Sequence, residues 1–162
     1  MDPTVKSARV VVASTRAAAG LYPDKTGPLI VEWLSAQNFR VEEPVVVPDG
    51  DAVGEAIGEA VSYEGVRLVV TTGGTGLSPT DVTPQQTAAL LDYQIPGLAD
   101  AIRRSGLPAV PTSILSRGVC GVVGHTLVVN LPGSTGGVRD GLSVLGGVLD
   151  HALDQIAGGD HP

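Results

Sequence analysis

The chain predicts an α/β fold: a three-layer arrangement in which a mostly parallel sheet carries helices on both faces, with a small β-hairpin toward its C-terminal end. Three observations lead there. Segments that read as strands recur at Ala8 to Ala13, Arg40 to Val47 and Leu68 to Thr71. Segments with apolar residues at helical spacing alternate with them, which is the order a parallel sheet needs for its crossovers. The run from Ala8 to Ala13 is also continuous rather than alternating, as in a strand buried on both faces. At 162 residues, 43% apolar and 17% charged, the chain reads as one domain, 1–162, that can bury a core without disulfide or metal staples.

Taken in order, Met1 to Ser7 is polar with an early proline and is expected to be a flexible terminus. The first strand, Ala8 to Ala13, ends at Ser14-Thr15-Arg16, and Ala17 to Lys25 reads as a small-residue loop. Thr26 is placed as the cap of a helix whose Leu29, Ile30, Trp33 and Leu34 share a face. The second strand, Arg40 to Val47, ends at Pro48-Asp49-Gly50, and Asp51 is placed as the cap of a helix with Val53, Ala56, Ile57, Ala60 and Val61 at helical spacing. The third strand runs into a loop with Gly73, Gly74 and Gly76. Beyond it Thr83, Pro84 and Gln86 have the N-cap, N1 and N3 pattern of a short helix reaching about Leu91. Pro96-Gly97 starts another helix through Arg104. Val119 to Val123 and Thr126 to Asn130 read as a hairpin turning at Gly124-His125. A last helix from Ser134 carries Val138, Leu142, Leu145, Leu149, Leu153 and Ile156 as one stripe, ended by Gly158-Gly159.

Composition excludes several classes. The net charge of −7, with ten scattered Lys and Arg, argues against nucleic acid, whose binding needs clustered cations. No apolar run approaches the roughly 18 residues of a spanning helix and the first 20 residues lack a leader pattern, so the expectation is a soluble, cytoplasmic protein without a membrane partner. One cysteine, Cys120, rules out an intramolecular disulfide framework.

The chemistry concentrates in Leu68 to Gln86, LVVTTGGTGLSPTDVTPQQ. Glycines after a buried strand let backbone N–H groups converge on negative charge. A P-loop would need a lysine that does not follow, and a dinucleotide fingerprint a third glycine where Pro79 stands. What distinguishes this loop is Asp81, because a carboxylate beside a phosphate repels it unless a cation bridges them. In open parallel sheets ligands lie outside the carboxyl ends of the strands. That rule gathers Ser14, Asp49, Thr72 to Asp81, and Asn130 to Ser134, of which residues 132 to 134 open the last helix with free N–H groups. Asp49 also reads as a turn residue after Pro48, and Asp81 as a residue approaching a helix. Together on one edge, the two carboxylates suit Mg²⁺ shared with substrate phosphates. His125, His151 and His161 lack metal-ligand spacing.

TTGGTGLSPTDVTPQQT, with Ile95-Pro96-Gly97, Leu115-Ser116-Arg117 and Asn130-Leu131-Pro132-Gly133-Ser134 following in order, resembles the molybdenum cofactor biosynthesis family that contains the Mog and MoaB proteins and the gephyrin G domain. The resemblance extends from about Arg9 to Ile156. It implies a molybdopterin-binding-domain fold and a molybdopterin adenylyltransferase: the terminal phosphate of molybdopterin attacks the α-phosphorus of ATP, with Mg²⁺, giving adenylylated molybdopterin and pyrophosphate. It maps the paired acids, as catalytic and Mg²⁺-binding residues, onto Asp49 and Asp81. Substrate and nucleotide contacts fall on Ser14, Thr72, Gly73, Gly74, Thr75, Gly76, Pro132, Gly133 and Ser134. A molybdenum insertase is the implied downstream partner.

The chain departs from the pattern at two places. Thr80 stands where many relatives have arginine before the DVTP aspartate, and Thr15 where many have aspartate. Arg16, Arg117 and Arg139 are the candidates to supply the missing cation. Two alternatives therefore accompany the transferase: a non-catalytic molybdopterin-binding module or degenerate paralogue of the same fold, and a CinA-type nucleotide hydrolase. The resemblance also implies a homotrimer or larger homo-oligomer. Light scattering at micromolar concentration is expected to give at least three times the 16.4 kDa chain mass; a monomer mass would remove the expectation.

Overall fold

The computed structural model describes residues 5–159. The elements in chain order are β1 (Ser7–Ala13), α1 (Thr15–Ala18), α2 (Thr26–Ala36), β2 (Arg40–Val41), β3 (Val45–Val47), α3 (Asp51–Ser62), β4 (Val66–Thr72), α4 (Thr83–Ala88), β5 (Tyr93–Gln94), α5 (Pro96–Arg104), β6 (Cys120–Val123), β7 (Thr126–Leu131), α6 (Thr135–Gly146) and α7 (Leu149–Ile156), with a 3₁₀ turn over Pro111–Leu115. The sheet order is β2-β1-β4-β7-β6-β5, with β3 also pairing β1. β1 is parallel to β2, β3 and β4, and β4 is parallel to β7. β6 and β5 extend the sheet antiparallel, so the expected mixed, mostly parallel α/β architecture is what forms.

Alternation along the central strands assigns the two faces. Val10 and Val12, Leu68 and Val70, and Leu127, Val129 and Leu131 pack with Ile30, Leu34, Leu98, Ile102, Leu142 and Leu145 from α2, α5 and α6. Val11, Val69 and Val128 point the other way and pack with Val53, Ile57 and Ala60 of α3. Both faces of these strands are thus covered, and continuous apolar runs are what such burial demands. No helix among the described residues is long and apolar enough to cross a membrane.

Several boundaries differ from the sequence reading, each for a local reason. Residues 1–4 of the expected flexible terminus lie outside the described residues, but Lys6 and Ser7 are tied in: the Lys6 carbonyl accepts from the Arg40 N–H at 2.9 Å and the Ser7 N–H donates to the Gly65 carbonyl at 3.2 Å. The loop after β1 begins with the single turn of α1. The second strand breaks into β2 and β3 over Glu42-Glu43-Pro44, since proline has no N–H to give to the ladder. Thr26, Asp51 and Thr83 are first helical residues rather than caps. Asp24 takes the capping role for α2, its Oδ1 accepting from the Gly27 N–H at 3.0 Å. Gly50, at φ +113°, leads into α3 in a conformation that L side chains rarely adopt.

The last helix is two helices that break at Gly147-Val148. The tandem glycines 146 and 147 weaken the helix there, and a Cβ on Gly146 would meet the Trp33 ring at 3.2 Å. The predicted stripe survives the break, with Val138, Leu142, Leu145, Leu149 and Leu153 all buried. The hairpin forms as expected, Val123 pairing with Thr126 around Gly124 at φ +57°. The two-residue β5 has no sequence signal.

Cys120 is buried on β6, and burial pushes its thiol up to about 12. Because the thiolate is the reactive form, a raised value keeps the sulfur protonated through neutral and mildly alkaline pH. A disulfide reagent at pH 8 is expected to leave the native protein unlabelled and to label one thiol after denaturation. Native labelling at the rate of a free cysteine would contradict this burial.

Candidate functional site

The parallel strands β1, β3, β4 and β7 deliver their carboxyl ends to one edge, and the loops leaving them build two adjoining cavities. The first, about 770 Å³, is lined by Ser14, Asp49, Thr72, Gly73 and Thr80 among others. The second, about 700 Å³, is lined by Thr75, Gly76 and Pro132 together with the apolar Ile102, Val110 and Leu115 among others. Gly74, Asp81, Gly133 and Ser134 belong to both walls. All eleven residues predicted for the site line one cavity or the other, although they span more than a hundred positions of sequence.

The glycine loop is built by close approach. Gly73 and Gly74 have φ +91° and +70°, and a Cβ on Gly73 would run into the Ala13 carbonyl oxygen at the end of β1. The Gly73 N–H is committed to the Leu131 carbonyl at 3.2 Å. By contrast, the N–H groups of Gly74, Thr75 and Gly76 make no hydrogen bond to another described residue, so these are the loop donors left for an anion. Gly133 lies against Gly73, bringing the start of α6 beside the loop. Ser134 caps α6, its Oγ accepting from the Gly137 N–H at 3.0 Å. A second set of helix-terminal N–H groups therefore faces the same lip.

The polar side chains divide into structural and available groups. Thr72 Oγ1 donates to the Pro132 carbonyl at 2.7 Å, tying the end of β4 to the loop before α6. Thr75 is buried, and its hydroxyl accepts from Ser116 Oγ at 3.2 Å. Ser14 Oγ accepts from the Ala17 N–H at 3.2 Å as the cap of α1. Asp49 Oδ2 accepts from Thr15 Oγ1 at 3.1 Å, while Oδ1 is buried with no partner among the described residues. Asp81 lies over Gly76, where a Cβ would approach its Oδ2 to 2.8 Å.

The candidate arginines separate clearly. Arg117 is a staple: its Nε donates to the Gly76 carbonyl at 3.0 Å and its Nη2 to the Asp81 carbonyl at 2.6 Å, closing the loop that carries Asp81. Arg16 lines the first cavity, as does Lys25. Arg139 is exposed on α6 and lines neither cavity. Thr15, Asp24 and Lys25 are among the lining residues that sequence reasoning did not assign to the site, and Thr83 borders it at Gly74; nothing in a loop lysine or a helix-starting threonine marks it.

Thr83 is fully buried at 0% exposure, yet its Oγ1 has no hydrogen-bond partner among the described residues. A Cβ on Gly74 would collide with that hydroxyl and come within 3.0 Å of Asp49 Oδ1, so both unpartnered atoms border the same glycine. An unsatisfied buried hydroxyl costs roughly 1–3 kcal/mol. The isosteric Thr83→Val is therefore expected to stabilise the free protein by about 1 kcal/mol, read from the urea midpoint. A loss of stability would mean that the hydroxyl is satisfied in solution.

Residues 9–151 match the family model described as probable molybdopterin binding domain. The chain is 36% identical over 154 residues to the molybdenum cofactor biosynthesis bifunctional protein of Synechococcus elongatus, covering 95% of this chain but only about half, 48%, of that protein's length. It is 34% identical over 151 residues to the molybdopterin adenylyltransferase of Escherichia coli K12, covering 89% of this chain and 77% of the relative. Among solved structures, the molybdopterin biosynthesis Mog protein from Mycobacterium ulcerans superposes with a TM-score of 0.90 at 63% identity, over 94% of this chain and 99% of that one. Glycine loop, paired carboxylates and helix-terminal lip thus sit in a fold and sequence shared along nearly the whole chain, which belongs to the molybdopterin-binding domain family of molybdenum cofactor biosynthesis, the Mog and MoaB family.

Proposed function

We propose that the protein is a molybdopterin adenylyltransferase, transferring AMP from ATP to the terminal phosphate of molybdopterin. The observation that carries this reading is the shared lip. Two cavities of ligand size meet at Gly74, Asp81, Gly133 and Ser134, and a reaction between two phosphates needs two binding compartments that join at a phosphate cradle. The relatives named molybdopterin adenylyltransferase support it.

In this reading an oxygen of the pterin's terminal phosphate attacks the α-phosphorus of ATP. A new P–O–P bridge forms as the α–β bond breaks, and pyrophosphate leaves with the bonding electron pair. Little covalent help is asked of the protein; orientation and charge neutralisation supply the acceleration. The free N–H groups of Gly74, Thr75 and Gly76 and those at the start of α6 hold phosphate oxygens. Ser14, Thr72, Gly73 and Pro132 complete the walls, Thr72 by fixing the Pro132 carbonyl. Asp81 stands where both compartments can use it and Asp49 in the first. Arg16 and Lys25 offset part of a net charge of −7 that would otherwise repel the substrates.

The residues fit a magnesium ion. Among the described residues no group of three or more His, Cys, Asp or Glu gathers, which does not suit an all-protein cage. Asp49 Oδ1 is a buried acceptor without a partner, and Mg²⁺ is commonly held by one or two carboxylates with substrate phosphates and water. Asp49 and Asp81 would hold it, and it would neutralise phosphate charge. The protein acts as a homotrimer or larger homo-oligomer in the cytoplasm and hands its product to a molybdenum insertase.

A binding module without catalysis is the second reading, and the observation that favours it is Thr80. It lines the first cavity as an exposed hydroxyl, close to Ser78 Oγ at 3.3 Å, where a cation would help an anionic reaction. The deciding experiment incubates the purified protein with molybdopterin, ATP and Mg²⁺ and follows adenylylated pterin and pyrophosphate by chromatography. Product is expected, and Asp81→Ala is expected to lower turnover by about 10²–10³-fold or more with the fold and most pterin binding retained. Tight pterin binding with no product would establish the module instead. A wild-type rate for Asp81→Ala at saturating MgATP would remove Asp81 from the mechanism.

A further inference from the structure

We propose that Thr15 is the positioning residue of Asp49, fixing through one hydroxyl which oxygen of that carboxylate faces the cradle. The proposal rests on the reading of Asp49 as a working carboxylate and adds the device that orients it.

Thr15 and Asp49 are 34 positions apart and meet because β1 and β3 are parallel neighbours that end together, Ala13 pairing with Val47. The Ser14 N–H donates to the Val47 carbonyl at 2.9 Å, which anchors the start of α1 against the end of β3. The Thr15 hydroxyl then makes two bonds to a single residue. It accepts from the Asp49 N–H at 3.1 Å and donates to Asp49 Oδ2 at 3.1 Å. Backbone and side chain of Asp49 are thus held by one oxygen atom, and a carboxylate pinned at both ends has its rotamer chosen for it.

The consequence is that the two carboxylate oxygens are unequal. Oδ2 is occupied by Thr15, whereas Oδ1 turns inward beside Gly74, buried and without a partner among the described residues. A buried carboxylate oxygen left unpaired is costly, and it persists only if something else fixes the orientation. Thr15 is that constraint. A valine would keep the shape and lose both bonds. A serine would keep both bonds. An aspartate would set a second carboxylate against Oδ2 with no proton to offer at neutral pH.

The test compares wild type, Thr15→Val and Thr15→Ser by two readouts. Three-bond couplings in labelled protein report the Asp49 χ1 rotamer without reference to any reaction: one rotamer is expected in wild type and Thr15→Ser, and averaging in Thr15→Val. In the adenylylation assay Thr15→Val is expected to lower kcat by about 10-fold, within what a ~1 Å misplacement costs. KM for ATP and molybdopterin should stay within about twofold, with Thr15→Ser restoring the rate. In an Asp49→Ala background, Thr15→Val should cost nothing further in kcat, because no side chain is left to position. A single, unchanged Asp49 rotamer in Thr15→Val would overturn the proposal, as would a full additional loss on top of Asp49→Ala. Wild-type protein that forms no adenylylated pterin would instead remove the transferase reading, and the couplings would still decide the role of Thr15.

Discussion

The side chain of Asn130 is the constraint on which the site depends. Fully inside the protein at the end of β7, it donates from Nδ2 to Thr71 Oγ1 at 2.9 Å and to Thr87 Oγ1 at 3.0 Å, and its Oδ1 accepts from the Val119 N–H at 3.1 Å. Three parts of the chain therefore converge on one amide: the end of β4, the helix after the glycine loop, and the approach to the hairpin. Thr87 passes the constraint on, its hydroxyl donating to the Thr83 carbonyl at 2.8 Å. A buried amide with both N–H donors and its oxygen engaged in this way rigidifies its surroundings, since any displacement leaves an unpaired polar group in a low-dielectric interior. The glycine loop and the start of α6 both hang from that knot, because Asn130 lies two residues before Pro132 and Thr71 two residues before Gly73.

Around the knot the protein spends side chains to keep backbone donors free. Arg117, Thr72 and Ser116 bind the loops to one another through carbonyls and hydroxyls, and none of these bonds consumes the N–H groups of Gly74, Thr75 or Gly76. Preorganised donors need no reorganisation when negative charge arrives. This resolves an apparent conflict in composition. A chain with net charge −7 is a poor partner for polyphosphates at long range, but screening limits that field to about 8 Å at physiological salt. At contact distance an anion would meet the unbonded N–H groups of the loop, while Arg16 and Lys25 counter part of the charge of Asp24, Asp49 and Asp81 in the same cavity wall.

The differences between expected and observed elements share a cause. Thr26, Asp51 and Thr83 each precede an apolar helical pattern and each carry a capping side chain, yet all three begin their helices from inside. Capping is a local preference worth about 1 kcal/mol, small enough for other contacts to displace at Thr26 and Asp51, while the Thr83 hydroxyl has no partner among the described residues. At α2 the capping bond comes from Asp24, which accepts from the Gly27 N–H, while Pro28 offers Thr26 no N–H to cap. Asp51 instead accepts from Gln86 Nε2 at 3.3 Å on a neighbouring helix. The last helix breaks for the opposite reason: the apolar stripe is continuous, but tandem glycines cannot hold the backbone helical against the packing of Trp33.

By itself the sequence determined the fold class, the central strands β1, β4 and β7 and which loops share one edge of the sheet. Long apolar runs have one stable fate in a parallel sheet, and the carboxyl-end rule then gathers Ser14, Asp49, the glycine loop and Pro132 to Ser134 without coordinates. It also carried the family, through motifs spread along the chain. Only the tertiary structure decided which of those groups are free. That the Gly73 N–H is committed and its three successors are not, that Arg117 is a staple while Lys25 faces the cavity, and that Thr15 holds Asp49 are facts about hydrogen bonds between residues tens of positions apart. Such bonds leave no periodicity and need no particular composition, and a threonine reads the same in a sequence whether its hydroxyl is paired, unpaired or pinning a carboxylate.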